Sequence, residues 1–170
     1  APKSAQPHSL PDLSMRMGPG PIVLMSYHRV NGYAAEVERT VFLGEPTEEE
    51  RRLYDTVMEA RAIAYSLIEP GVRCSDIDLV TQAFFKSEGY GELIIHRTGH
   101  GIGLGNHEQP WLSAGSTDVL AENMVISIEP ALYFPEVGGF RHSDTVLVTR
   151  DGYERITQYP DDLPSLIVRQ

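Results

Sequence analysis

The residues best suited to chemistry lie in one glycine-rich segment, residues 96–108. It holds three histidines, His96, His100 and His107, and four glycines within thirteen residues, between apolar segments. Glycine lets the backbone approach a ligand closely and adopt a positive φ, and imidazole transfers protons or binds metals near neutral pH. The segment is therefore predicted to form a reaction site. The alternative is that these histidines are polar core residues that hydrogen-bond to the backbone.

The strands that would position this segment are predicted from apolar runs and turn residues. Ile22–Ser26 and Gly32–Phe42 are rich in apolar, β-branched and aromatic residues, and the Asn31-Gly32 pair between them is typical of a tight hairpin turn. Four further strands are predicted from composition and length. They cover Leu93–His96, Val125–Glu129, Ala131–Phe134 and Asp144–Thr149.

Two helices are predicted between the hairpin and the later strands. Thr47 and Glu50 form a capping box that starts the first helix, and the apolar stripe that follows ends before Pro70. Ser75 is predicted to cap the second helix, which ends at Glu88. The predicted class is therefore α+β, a curved antiparallel sheet with two helices covering one face.

Size and composition predict one domain without a nucleic-acid or membrane partner. The 170 residues are 41% hydrophobic, enough for one core, and the formal net charge of −10 opposes phosphate binding. No apolar run has the length of a membrane helix. The single cysteine and the lack of a signal-peptide pattern together predict a cytoplasmic protein. Residues 1–20 contain four prolines and are predicted to be an irregular approach segment, which leaves residues 21–170 as the folded domain.

Four blocks of the sequence, in this order, resemble the creatinase, aminopeptidase P and prolidase family, the pita-bread hydrolases. The blocks are residues 22–44, 96–108, 123–130 and 138–152. The resemblance implies a pita-bread fold, hydrolysis of a C–N bond in a small molecule or dipeptide, and a homodimer. Pita-bread domains consist of two related halves. The resemblance therefore implies that this chain is the C-terminal portion of one such catalytic domain, with its first part missing.

The resemblance also places the metal-ligand positions of the family on this chain. The two aspartates fall on Met25 and Glu36, the histidine on His100, and the two glutamates on Glu129 and Ser143. A thioether and a hydroxyl replace neither the charge nor the bridging of a carboxylate, so a metal pair is not expected. The prediction is that no cofactor is needed. The remaining acids and His100 could still hold a single divalent zinc, manganese or iron ion.

With these departures, the sequence resembles the metal-free branch of the family that creatinase represents. His8, within Pro7-His8-Ser9, falls where the catalytic histidine of that branch stands, which implies a general base that activates water. Glu38 and Glu129 match its two substrate carboxylates. His100 or His107 is predicted to stabilise the developing oxyanion or to protonate the leaving nitrogen.

Arg141 matches the arginine of the closing hairpin in the family, and the resemblance implies that it binds a substrate carboxylate. The two residues that follow, His142 and Ser143, differ from the creatinase pattern, in which a glutamate and then a histidine precede the aspartate, so the substrate stays open between amidino compounds and Xaa-Pro-type amides. The predicted function is a C–N hydrolase of the Xaa-Pro dipeptidase, aminopeptidase P or creatinase kind, metal-independent, with a histidine base. The alternative is a catalytically inactive pita-bread module that binds a peptide or protein.

Overall fold

The computed structural model describes residues 2–10 and 12–169. Its two α-helices are α1 (Glu48–Ser66) and α2 (Cys74–Ser87). The strands are β1 (Gly20–Val30), β2 (Tyr33–Leu43), β3 (Gly99–Gly101), β4 (Glu108–Leu112), β5 (Val125–Ile128), β6 (Ala131–Phe134), β7 (Gly138–Arg141), β8 (Ser143–Thr149), β9 (Gly152–Arg155) and β10 (Ile167–Val168). Short 3-10 helices cover Pro2–Ala5, Gly91–Leu93 and Leu163–Leu166.

The predicted hairpin is confirmed, with longer strands than expected. Asn31 and Gly32 form its two-residue turn with φ values of 52° and 89°, the left-handed conformation that matches the twist of the flanking strands. The antiparallel register then pairs Met25 with Glu38 and Tyr27 with Glu36. Because paired residues lie on the same face of a hairpin, the turn determines which side chains meet in the candidate site.

The main sheet has the strand order β1-β2-β8-β5-β3-β4, with β9 beside β8 and β10 beside β2. All its ladders are antiparallel except the short parallel pair of β10 and β2, which confirms the predicted antiparallel sheet. The strands β6 and β7 form a separate two-stranded sheet. The register places Glu38 opposite Ser143 and His100 opposite Ser127, so polar side chains from distant parts of the chain share one face of the sheet.

Both helices pack on the other face of the main sheet. On β5, Ile126 and Ile128 join the core beneath α1 and α2, while Ser127 between them faces away, because side chains of a strand alternate. A second core cluster lies around Phe42 and Phe140, which are fully buried. The apolar face holds the sheet against the helices, and the polar face is left to build the site.

The helix boundaries agree with the sequence in part. The capping box of Thr47 and Glu50 is present, with both reciprocal hydrogen bonds. The prediction that Ser75 caps the second helix is wrong, because the helix already starts at Cys74, and Arg73, two residues before Ser75, stands at its N-cap without a side-chain hydrogen bond. The backbone N–H of Cys74 instead binds the carbonyl of Asp118, so a tertiary contact takes the place of a cap. The predicted strand over residues 93–96 is also wrong.

The approach segment begins with the short helix Pro2–Ala5 and has no strand before Gly20 among its described residues. It is anchored by Ser4, whose hydroxyl donates to the carbonyl of Pro21 and accepts from the N–H of Gly139. A Cβ atom on Gly139 would lie 2.0 Å from the Ser4 carbonyl oxygen, so only glycine permits this approach. The division into residues 1–20 and 21–170 stays a prediction. Within the described residues, no helix is long and apolar enough to span a bilayer.

Candidate active site

Three of the predicted residues come together in the polar face of the sheet. Glu36 lies on β2, His100 on β3 and Glu129 directly after β5, and all three side chains are buried. One ligand atom from each lies within 4.8 Å of the others. The Nε2 atom of His100 is 3.4 Å from Glu129 Oε1 and 3.7 Å from Glu36 Oε2. The imidazole is thus held between two carboxylates.

The electrostatics of this cluster couple the imidazole to the acids. Nδ1 of His100 lies 2.9 Å from the carbonyl of Gly101, which leaves Nε2 directed at the carboxylates. Burial alone would lower the pKa of His100, but the interaction with Glu129 and the charge of Glu36 raise that pKa overall. Burial would likewise raise the pKa of Glu129, but His100 and the neighbouring His96 lower it. Both shifts favour an ion pair.

Two serine hydroxyls hold Glu36 in place. Ser127 and Ser143 both donate to Glu36 Oε1, and their own oxygen atoms lie 2.8 Å apart. Ser143 stands where the family pattern has a glutamate, and here it supplies a proton donor instead of a carboxylate. The site therefore has fewer negative charges than that pattern implies.

A buried ion pair lies beside this cluster. Arg141 on β7 faces Glu38 on β2, with Nε 2.5 Å from Oε2 and Nη2 2.9 Å from Oε1. Burial raises the pKa of Glu38, and Arg141 acts against that shift. The charge of Glu38 in turn raises the pKa of Arg141, and contacts this short favour the ionised form of both partners. Both partners are at most 2% exposed. The carboxylate that the resemblance assigned to a substrate guanidinium is thus already bound to a guanidinium of this chain.

The guanidinium of Arg141 is fixed by further contacts. Nη1 donates to the hydroxyl of Tyr133 at 2.8 Å, and that hydroxyl lies 2.8 Å from Nε2 of His96. Nη2 lies 3.0 Å from the sulfur of Met25 and 3.2 Å from the carbonyl of Pro7. The approach segment and the hairpin therefore meet at this one side chain.

The two other predicted histidines lie outside the buried cluster. The ring of His107 is exposed, its centroid 4.2 Å from that of His100. Burial and the charge of His100 lower the pKa of His107. His8 is exposed, and among the residues that the structure describes no hydrogen bond or ion pair joins its side chain to another. Its link to the site is indirect, since the preceding carbonyl accepts from Arg141.

Helix α2 anchors the strand that carries His100. The buried carboxylate of Asp78 accepts from the N–H and the hydroxyl of Thr98, both at 2.8 Å, and from the N–H of Ala114 at 2.6 Å. These two residues flank the β3–β4 segment. The hairpin turn is joined to the same segment through Arg29, which donates to the carbonyl of Leu104 and to the side chain of Asn106. The glycine-rich segment is thus held from both sides.

Sequence reasoning missed three side chains of the site, Tyr27, Tyr133 and Ser127. Tyr27 could have been found from strand alternation, because it lies two residues after Met25 and so on the same face. Burial raises the pKa of Tyr27, and the charges of Glu36, Glu38 and Glu129 raise it further. Ser127 could have been found in the same way, because it lies two residues before Glu129. Tyr133 carries no local signal, since only the tertiary fold brings it to the site.

The donor set fits one divalent cation and not two. Glu36 Oε2 and His100 Nε2 are buried, and neither completes a hydrogen bond with another described residue, as expected of ligand atoms. The two remaining positions of the family pattern hold the thioether of Met25, which contacts Arg141, and the hydroxyl of Ser143, which donates to Glu36. Neither supplies a carboxylate that could bridge a second ion.

Comparisons with known proteins identify relatives over nearly the whole chain. Residues 1–150 match the profile of a family described as Metallopeptidase family M24. The chain is 39% identical over 162 residues to the Putative dipeptidase YkvY of Bacillus subtilis and 38% identical over 162 residues to the Xaa-Pro dipeptidase of Pyrococcus furiosus. Both alignments cover 95% of this chain, but only 44% and 46% of the relatives. The chain therefore spans about half their length.

A solved structure supports the same assignment. The crystal structure of the prolidase from Pyrococcus horikoshii OT3 is similar with a TM-score of 0.91 and 35% sequence identity, covering 95% of this chain and 47% of that one. The resemblance drawn from four sequence blocks and the predicted pita-bread fold are confirmed.

Proposed function

Because this chain belongs to metallopeptidase family M24, we propose that it carries the catalytic centre of a hydrolase that cleaves the C–N bond of Xaa-Pro-type dipeptides. The observation that carries the proposal is the buried cluster of Glu36, His100 and Glu129 beside the Glu38–Arg141 ion pair. The names of two similar proteins, Xaa-Pro dipeptidase and prolidase, support the substrate class.

The ion pair favours a peptide substrate over an amidino compound. A guanidinium substrate would have to displace Arg141 from Glu38, where the two make two short contacts in a buried site. Breaking a buried pair costs several kcal/mol, roughly 3–5. A neutral amide substrate does not compete with Arg141 for Glu38, so it can bind with the ion pair intact. Glu38 is then a positioning residue that holds Arg141, the partner proposed for the substrate carboxylate.

The proposed centre works without a metal pair, because Met25 and Ser143 stand at two positions where such a pair needs a carboxylate. A second candidate is a centre with one divalent cation, favoured by the convergence of Glu36, His100 and Glu129 within 4.8 Å. A cation held by these three residues would supply Lewis-acid polarisation of the substrate carbonyl.

In the proposed metal-independent reaction, a histidine takes the proton of the attacking water, and the imidazole of His100 stabilises the carbonyl oxygen as it becomes negative. The sequence prediction gives the base to His8. In support, the carbonyl before it is bound by Arg141. His107 is the other exposed histidine considered for this role, and its ring lies next to that of His100. Matched variants of His8 and His107 therefore decide the assignment.

The test measures hydrolysis of Xaa-Pro dipeptides and of guanidino acids by the chain purified without added metal, before and after chelator treatment. We expect dipeptide cleavage that survives chelation. His8→Ala should reduce turnover by about 100-fold or more, the usual scale for a lost acid–base group, and the exposed His28→Ala should not. If His8→Ala retains full turnover and His107→Ala loses it, the base is His107.

Two other outcomes correspond to the competing functions. Activity that appears only with added manganese or zinc supports the mononuclear centre. Dipeptide binding measured by calorimetry without any cleavage supports the inactive binding module, which the replacement of two metal-ligand positions also favours. The homodimer stays a prediction, which sedimentation equilibrium tests.

A further inference from the structure

Tyr27 enters the candidate site from strand β1. It pairs with Glu36 across the hairpin, so both side chains lie on the same face. Its neighbours from Leu24 to Val30 are all exposed, whereas Tyr27 is partly buried. A residue that turns inward on an otherwise exposed strand segment has contacts there that its neighbours lack.

Those contacts are with the acids and histidines of the site. Glu36 is its cross-strand partner on that face, and the charges of Glu36, Glu38 and Glu129 add to burial in raising the pKa of Tyr27. Its ring centroid lies 6.2 Å from that of His107, with the planes tilted by 46°. The side chain therefore lies on the face of Glu36 and near the ring of His107.

A neutral hydrogen-bond donor has a clear use in this position. When water attacks an amide carbonyl, negative charge develops on the carbonyl oxygen, and carboxylates nearby disfavour that charge. A phenol has an ordinary pKa of about 10, so it stays protonated at neutral pH and donates without adding negative charge.

We propose that Tyr27 is a catalytic residue whose hydroxyl donates a hydrogen bond to the carbonyl oxygen as it becomes negative. The inference rests on the proposed function. In the step, the water oxygen bonds to the carbonyl carbon, and the histidine base takes a water proton. The C–N bond then breaks, and that proton passes to the leaving nitrogen. Tyr27 keeps its proton throughout.

A purely structural role would have a different signature. If Tyr27 only supported Glu36, its removal would disturb the cluster in the free protein and weaken substrate binding. A donor to the oxyanion contributes mainly in the transition state, so its loss lowers kcat and leaves KM nearly unchanged.

The test compares Tyr27→Phe with Tyr33→Phe, a control in the same hairpin whose side chain is 63% exposed. We expect Tyr27→Phe to lower kcat by about 100-fold or more, the scale for one lost oxyanion donor, with KM and the thermal midpoint close to those of the unaltered chain. Tyr33→Phe should retain full kcat. Binding of an uncleavable reduced-amide dipeptide, measured by calorimetry, should be the same in all three proteins.

Two results would overturn the inference while leaving the proposed function intact. One is unchanged kcat in Tyr27→Phe, and the other is a loss confined to KM and to binding of the reduced-amide dipeptide. If the unaltered chain cleaves no dipeptide, the proposed function itself fails, and the role of Tyr27 fails with it.

Discussion

The carboxylate of Glu38 and the guanidinium of Arg141 join two separate sheets through contacts of 2.5 and 2.9 Å. Glu38 belongs to the main sheet and Arg141 to the two-stranded sheet of β6 and β7. The ion pair therefore serves architecture as well as chemistry, since it holds the smaller sheet against the polar face of the larger one.

Glu38→Gln should destabilise the fold by about 3–5 kcal/mol, because it leaves Arg141 as a buried charge without its partner. The measurement is the free energy of unfolding from urea titration. The matched control is Glu45→Gln, since Glu45 is exposed and pairs with Arg51 at 2.9 Å on the surface. That variant should lose about 1 kcal/mol or less. Equal losses in the two variants would show that Glu38 does not act as a buried charged partner.

Restoring two carboxylates should restore metal binding. The double variant Met25→Asp, Ser143→Glu completes the ligand pattern that the family resemblance implies, so we expect it to bind two manganese ions per chain. The unaltered chain should bind at most one. Elemental analysis after dialysis counts the ions, and the two single variants serve as controls. A second manganese in the unaltered chain would contradict the argument from Met25 and Ser143.

His142 should make stability depend on pH. Burial lowers its pKa well below the ordinary value, and Arg61 and Arg39 lower it further. The folded chain then binds fewer protons than the unfolded chain below pH 6.5. The contribution of His142 is therefore complete above about pH 6.5 and is lost as pH falls, at up to about 1.4 kcal/mol per pH unit.

The measurement for His142 is the free energy of unfolding between pH 7 and 5, compared with His142→Phe. Phenylalanine keeps the edge contact with Tyr54, whose ring centroid is 5.3 Å away, and does not titrate. We expect a shallower decline in the variant. The comparison is needed because the raised pKa of His100 acts in the opposite sense, chiefly above pH 6.5, and so affects the upper end of the measured range. Identical slopes would exclude His142 as the source.

Gly139→Ala should release the approach segment. The added Cβ would lie 2.0 Å from the Ser4 carbonyl oxygen, so the short helix Pro2–Ala5 has to move. We expect faster proteolysis within residues 2–10 and a loss of about 1–3 kcal/mol, the usual cost of overpacking. Gly18→Ala is the control, because open space surrounds that position. Unchanged proteolysis would show that the segment is not held by this contact.

Local patterns in the sequence predicted the parts of the fold that local chemistry determines. The Asn31-Gly32 turn and the capping box of Thr47 and Glu50 depend only on residues a few positions apart, and both are present. The start of α2 was missed because a hydrogen bond from Cys74 to Asp118, distant in sequence, replaces the expected cap. Local propensity carries no information about such contacts.

The same distinction applies to the site. Glu36, His100 and Glu129 were found because ordered blocks mark them, and the structure brings them together. The pairing of Glu38 with Arg141 was not predicted, because it spans two sheets and both residues had been assigned to substrate. Tyr27 lies within the first block, and strand alternation places it on the same face as Met25. Its pairing with Glu36 across the hairpin, which indicates more than a packing role, is known only from the register in the structure.

The carboxylate of Asp78 has a mechanical consequence. It ties Thr98 and Ala114, on either flank of the β3–β4 segment, to one point on helix α2. This one carboxylate on α2 then helps to hold both ends of the segment that carries His100 and His107. Motions of the two flanks are therefore expected to be correlated. Under mild denaturant, their amide hydrogens should begin to exchange with solvent at the same concentration, in a single cooperative opening.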